Sequence, residues 1–172
     1  SAVFADHLSN TLGLKAADIV SGAPDGGEKP KDQGIARARD FDLALRGRFN
    51  SAAMFKISKV HTAESATKIT SFDGKVAGKT AVVIDDMVDG GSTLINAARV
   101  LRDNGAAQVI CCVTHAILSE RGAPALEKLL ANDAAGRPVI DRLVVTDSIP
   151  EVRQKVAALS PDLAARVDIL PL

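Results

Sequence analysis

Short, mostly apolar runs recur at residues 17–23, 52–57, 80–84, 109–113, 143–146 and 167–170, each four to seven residues long. Runs of that length, rich in Val, Ile and Ala, read as strands buried on both faces. Amphipathic stretches separate them. Leu94, Ala97, Ala98 and Leu101 share one face of a helix expected over residues 93–104, with Gly105 as its stop. Ile35, Ala38, Phe41 and Leu45 do the same over residues 30–45, and further helices are expected at residues 2–12, 124–130 and 152–159. Strands alternating with helices predict an α/β domain, a mainly parallel sheet flanked by helices. Residues 58–73 break the pattern: they are polar, with β-branched residues and Phe72, and their length suggests a mobile loop or a hairpin. No repeat, low-complexity tract or linker divides residues 1–172, so a single domain is expected.

Composition removes several classes of function. Lys plus Arg (21) balances Asp plus Glu (21), so no general field attracts nucleic acid. The aromatic residues are five Phe, which makes a base-stacking surface a poor expectation. No apolar run approaches the ~18 residues of a membrane span. Asp6, His7 and Asn10 exclude a signal peptide at the amino end. Cys111 and Cys112 are adjacent in an apolar run and should point to opposite sheet faces, as two buried thiols rather than a disulfide. That pattern fits a reducing, cytoplasmic setting. The chain starts at Ser1 and stops at Pro171-Leu172 after an apolar run, as expected of a domain excised from a longer protein.

The run at 80–84 leads into the most chemical stretch, A-V-V-I-D-D-M-V-D-G-G-S-T-L at residues 81–94. A parallel strand delivers a binding loop at its carboxyl end. Gly90, Gly91, Ser92 and Thr93 can turn N–H and O–H donors onto a phosphate, while Asp85, Asp86 and Asp89 can hold sugar hydroxyls or magnesium. Each feature alone has a plainer reading: a solvated strand end, a tight turn, an ordinary helix N-cap. Their combination in one loop points to a phosphorylated sugar. Two other strand ends should face the same edge. One carries Pro24, Asp25, Gly26, Gly27, Glu28 and Lys29; the other has Lys56 and Lys59 nearby. Alone, Asp25 is a turn residue and the lysines are solvated charges. Together with the loop they supply what phosphoryl chemistry needs: donors for phosphate, cations for developing charge, and carboxylates for magnesium. His115, after a buried strand, reads as a satisfied structural histidine, and His7 and His61 lack metal-ligand spacing.

Residues 82–94 resemble the ribose-phosphate binding motif of the type I phosphoribosyltransferase fold. Within that three-layer fold the chain is most similar to the carboxyl-terminal domain of the ribose-phosphate diphosphokinase (phosphoribosyl pyrophosphate synthetase) family. Four more stretches match that family in order: Pro24 to Gly27, Val76 to Lys79, Val113 to Ala116 with Ser119, and Val145 to Pro150. The resemblance covers roughly residues 4–172. It implies transfer of the β,γ-diphosphoryl group of ATP to the 1-hydroxyl of ribose 5-phosphate with Mg2+, giving phosphoribosyl pyrophosphate and AMP. It also implies that Asp89 to Thr93 cradle the 5-phosphate, Asp85 and Asp86 hold the ribose hydroxyls, and Asp25 binds metal. Lys56 then matches the lysine of the mobile catalytic loop, with Lys59 nearby, and residues 58–73 form the flap that closes over ATP. An amino-terminal domain or partner subunit would complete the ATP site, within a homo-oligomer. On this reading the chain alone is inactive or weakly active.

The chain departs from the family pattern in three places. Ser58 stands where the family usually has Arg, two places after the lysine. The loop reads D-G-G-S-T where the family usually reads D-T-G-G-T or D-T-A-G-T. Glu28-Lys29-Pro30-Lys31 occupies the region after Asp25 where an Arg-Ala pair is usual. Two alternatives therefore stand beside the diphosphokinase: a non-catalytic regulatory homologue, and a phosphoribosyltransferase acting on a nucleobase.

Overall fold

The computed structural model describes residues 1–24, 33–47, 50, 53–61, 68–119 and 122–172. The chain opens with α1 (Ala2–Asp6), which continues through a π-helical turn (His7–Thr11). There follow β1 (Ile19–Gly22), α2 (Gln33–Arg46), β2 (Lys56–His61), β3 (Lys68–Asp73), β4 (Thr80–Val88), α3 (Ser92–Asp103) and β5 (Gln108–Ala116). The remaining elements are α4 (Gly122–Leu129), β6 (Arg142–Thr146), α5 (Val152–Ala157), α6 (Pro161–Ala164) and β7 (Val167–Leu170).

Five strands form a wholly parallel sheet in the order β1-β4-β5-β6-β7. Helices cover both of its faces, which is why its strands are apolar at nearly every position. Ala81 and Val83 of β4 pack into the layer containing α3 and α4; Val82 and Ile84 pack with Phe4, Leu8 and Phe41 of α1, its extension and α2. Cys111 and Cys112 part in the same way, one to each layer, and both are free and fully buried. Burial pushes both thiols well above their ordinary range, so they remain protonated packing residues. Leu94, Ala97, Ala98 and Leu101 of α3 are all buried on one face, as their spacing predicts. No helix among the described residues is long and apolar enough to cross a membrane.

The described part of the run at 52–57, from Ala53 on, is not a strand of this sheet. Met54 makes a single parallel bridge to Ser21, and the Phe55 N–H donates to the Ser21 carbonyl at 2.9 Å. The regular strand begins at Lys56 and pairs antiparallel with β3 in a separate two-stranded sheet, from Lys56 opposite Asp73 to His61 opposite Lys68. A nearby partner closes a shorter loop and costs less chain entropy than a distant one. Of the two options for residues 58–73, the described part is a hairpin. Phe55 and Phe72 clasp its base with ring centroids 6.4 Å apart. Gly22 admits that clasp, because a Cβ there would lie 2.5 Å from the Phe55 ring.

Strand β4 runs four residues past the expected 80–84, through Asp85 and Asp86 to Val88. Its neighbour β5 is equally long and pairs Asp85 with Val113 and Met87 with His115. The short helix α6 carries no apolar period that foretells it; Pro161 opens it.

One buried charge ties α2 to the sheet. Asp42 is fully buried and accepts from Arg46 Nε at 2.6 Å and from the Asn50 N–H at 2.8 Å. Arg46 in turn donates to the carbonyls of Ala16 and of Ile19, the latter at 2.6 Å, where β1 begins. Removing one partner of a buried pair strands the other. Asp42→Ala should therefore cost about 3–5 kcal/mol in urea unfolding, and Leu43→Ala on the exposed side of the same helix well under 1 kcal/mol. Equal losses for the two variants would refute this role for Asp42.

Candidate functional site

The site grows out of β4. Because both faces of the strand are packed up to Ile84, its polar continuation reaches the carboxyl edge of the sheet as Asp85, Asp86 and Asp89. The chain then turns through Gly90 and Gly91 into α3. Residues 85–94 line a concavity of about 350 Å3.

Gly91 is required there twice over. Its φ of +76° is left-handed, and a Cβ would sit 2.8 Å from Leu129 Cγ on α4. It is also the N-cap of α3, so no side chain caps the helix. The Gly91 carbonyl accepts from the Ile95 N–H at 3.0 Å, whereas the first-turn amides of residues 92–94 have no capping partner among the described residues. Ser92 is exposed and Thr93 half-buried beside them. Uncapped amides, two hydroxyls and the positive end of a helix dipole together suit an anion. Gly90 is different: nothing lies within 4 Å of where its Cβ would be.

Asp89 lines the same space and is also tied to the neighbouring segment. Its Oδ1 accepts from both the N–H and the hydroxyl of Ser119, each at 2.8 Å. Its carboxylate therefore braces the loop against the segment after β5, helped by the bond from the Ile117 N–H to the Val88 carbonyl at 2.9 Å.

The paired carboxylates meet a cation that the sequence reading missed. Arg37 of α2 places Nη2 2.6 Å from Asp86 Oδ2 and Nη1 4.0 Å from Asp85 Oδ1. Its signal was present: Arg37-Ala38 is an Arg-Ala pair, standing several residues beyond Glu28 to Lys31, where such a pair was sought. Asp85 is pushed up to about 6, first by burial and then by the Asp86 side chain's hydrogen bonding and repulsion, against the pull of the Asp86 N–H and of Arg37.

His115 donates or accepts through Nδ1 with Ser148 Oγ at 2.9 Å. The Ser148 and Thr146 hydroxyls both donate to the Thr114 carbonyl, at 2.9 and 2.7 Å. His115 is thus a partnered histidine, and the stretches at 113–116 and 145–150 join at one point. Of the remaining expected site residues, Lys56 opens β2 with an exposed side chain, outside the residues lining the concavity. Lys59 lies in β2, and its side chain is outside the described residues, as is the whole of Asp25. Among the described residues no cluster of three or more His, Cys, Asp or Glu forms a ready metal cage. Asp85 and Asp86 are nevertheless the donors magnesium accepts when it keeps its waters and takes the rest of its ligands from phosphates.

Asp85 is costly to ionise in the folded chain. Its folded value lies above the ordinary 3.8, so folding is disfavoured as pH rises through 4 to 6. Asp85→Asn should therefore stabilise the free chain at pH 8, by on the order of 1–3 kcal/mol, and leave it unchanged below pH 3.5. Denaturant melts at the two pH values check this, and a gain independent of pH would contradict it.

Comparison with known proteins places this geometry in context. The family described as a phosphoribosyl synthetase-associated domain matches residues 28–169. A ribose-phosphate pyrophosphokinase of Parasynechococcus marenigrum is 40% identical over 150 residues, covering 87% of this chain and 39% of that protein. One from Nostoc is 37% identical with the same coverage, and a chloroplastic one from Spinacia oleracea is 31% identical over 148 residues, covering 86% of this chain and 32% of that protein. The crystal structure of phosphoribosylpyrophosphate synthetase from Mycobacterium smegmatis superposes with a TM-score of 0.67 at 26% identity, over 97% of this chain and 46% of the other. The chain thus spans less than half the length of each of these relatives.

Proposed function

The chain belongs to the phosphoribosyl synthetase-associated family, with a type I phosphoribosyltransferase fold, and from that premise we propose that it forms the ribose 5-phosphate half of a ribose-phosphate diphosphokinase. The parent enzyme moves the diphosphoryl group of ATP to the 1-hydroxyl of ribose 5-phosphate and releases AMP. The carrying observation is the concavity at residues 85–94, where an uncapped helix start faces the same space as two strand-end carboxylates. Phosphate sits on the amides of residues 92–94 and the hydroxyls of Ser92 and Thr93. Asp85 and Asp86 take the ribose hydroxyls, which donate hydrogen bonds and so favour the ionised form that burial of Asp85 disfavours. Asp89 belongs to the same cradle, which it also orders by accepting from the N–H and hydroxyl of Ser119.

In this reading Asp85 or Asp86, with Asp25, would hold magnesium, which would supply positive charge to the transferring phosphates. Lys56 supplies a cation from the hairpin. The ATP pocket is completed by a segment or partner subunit of a homo-oligomer, in the cytoplasm.

Ser58 supports a second reading, a regulatory homologue without turnover. Lys56 and Ser58 alternate with the buried Ile57, so an arginine at position 58 would stand beside Lys56 on the outer face of β2. In the full-length parent, Ser58→Arg should raise turnover at least tenfold if Lys56 and position 58 act together on developing phosphoryl charge. No gain favours the regulator.

Isothermal titration tests the shared core of both readings. Ribose 5-phosphate should bind this chain and plain ribose should not. Ser92→Glu, which puts a negative charge at the helix start, should weaken binding by roughly tenfold or more without unfolding the chain. Equal binding of both sugars, or indifference to Ser92→Glu, would overturn the assignment of the cradle.

A further inference from the structure

A second hollow, of about 500 Å3, lies alongside α3 and outside the loop concavity. Ile95 and Arg99 form one wall; Lys128 at the end of α4, with Asn132 and Arg137 beyond it, forms the other. Four basic side chains line it against two acidic ones, in a protein whose overall charge is zero.

Half of those charges, on Arg102, Asp133 and Arg137, are already spent on building the walls. Arg102 pairs with Asp141 and donates to the carbonyls of Ala107 at 2.9 Å, Ala106 at 3.3 Å and Val139 at 3.4 Å. Asp133 accepts the N–H groups of Ala135 and Arg137 at 2.9 Å and the Arg137 guanidinium at 3.2 and 3.3 Å. Those donors, the Arg137 N–H first, hold its carboxyl below the usual range, so its charge is fixed in the turn. The hollow therefore has a rigid frame.

Two cations, Arg99 and Lys128, and one carboxylate, Asp103, are left over. The side chains of Arg99 and Lys128, on the helices α3 and α4 that pack together, make no hydrogen bond or ion pair among the described residues. Apolar surface from Ile95 and Val139 lies between them and the frame. Unpaired cations on two walls of a preformed, partly apolar hollow are the elements of a site for an organic anion.

We propose that this hollow binds a small phosphate monoester, its dianionic group bridged by Arg99 and Lys128 and its organic part resting on Ile95 and Val139. The site is separate from the ribose-phosphate cradle and does not depend on that assignment.

Two-dimensional amide NMR of the chain locates binding, with inorganic phosphate and phenyl phosphate as probes. Both should move the resonances of residues 95–103 and 128–139, and phenyl phosphate should bind the more tightly of the two. Arg99→Ala with Lys128→Ala should weaken phenyl phosphate by roughly tenfold or more, since both charge-assisted contacts go. Arg99→Gln is a milder second variant, expected to weaken it severalfold. Lys15→Ala with Lys75→Ala removes the same net charge elsewhere and should change nothing. Movement confined to residues 89–94, no movement at millimolar probe, or equal losses from the two double variants would each overturn the proposal. Failure of the ribose-phosphate reading registers at residues 89–94 instead, so the two outcomes are distinct.

Discussion

Gly91 is pressed against Leu129 so closely that no side chain can stand between them. That contact seats the start of α3 on α4 and fixes where β4 must stop and turn. It makes the N-cap a residue with no side chain, which leaves the first-turn amides uncapped. A packing constraint in the layer below thereby leaves polar groups free at the sheet edge. The same helix pair frames the second hollow, with Ile95 one turn beyond Gly91 and Lys128 beside Leu129.

The carboxyl edge of β4 sets stability against chemistry. Two adjacent carboxylates, one of them largely buried, are held with a single arginine from α2. Burial dominates at Asp85, so the free chain carries a carboxylate that is hard to ionise near neutrality. An interaction that favours the charged form, such as sugar hydroxyls or a divalent cation, recovers that cost on binding. Structural charges elsewhere are satisfied instead: Asp42 by Arg46 and Asn50, and Asp168 by Arg142 and His7. A strained ionisation at one edge, with satisfied pairs elsewhere, is the pattern expected of a site.

Much of this was legible in the sequence because local patterns carry it. The buried face of α3 follows from the spacing of Leu94, Ala97, Ala98 and Leu101, and β7 from a short run that is apolar except at Asp168. The loop at 89–93 announced itself by residue types that few other roles explain together. What stayed hidden depends on partners distant in sequence. Residues 52–57 read as a strand, but only the fold decides whether β3 or the main sheet pairs with them. Asp89 read as a ligand group, but its bond to Ser119, 30 positions away, was not legible. Arg37 reaches Asp86 across 49 positions, and its pairing follows from how α2 crosses the sheet. The burial of Asp42 goes with Arg46, which reaches the Ile19 carbonyl across 27 positions.

The central claim is that the uncapped start of α3 holds the 5-phosphate of ribose 5-phosphate. A crystal structure of the chain grown with ribose 5-phosphate tests it most directly. The account predicts phosphate oxygens within about 3 Å of the amides of residues 92–94, with the sugar turned toward Asp85 and Asp86. Phosphate bound elsewhere while those amides face only water, or a sugar turned away from both carboxylates, would contradict it.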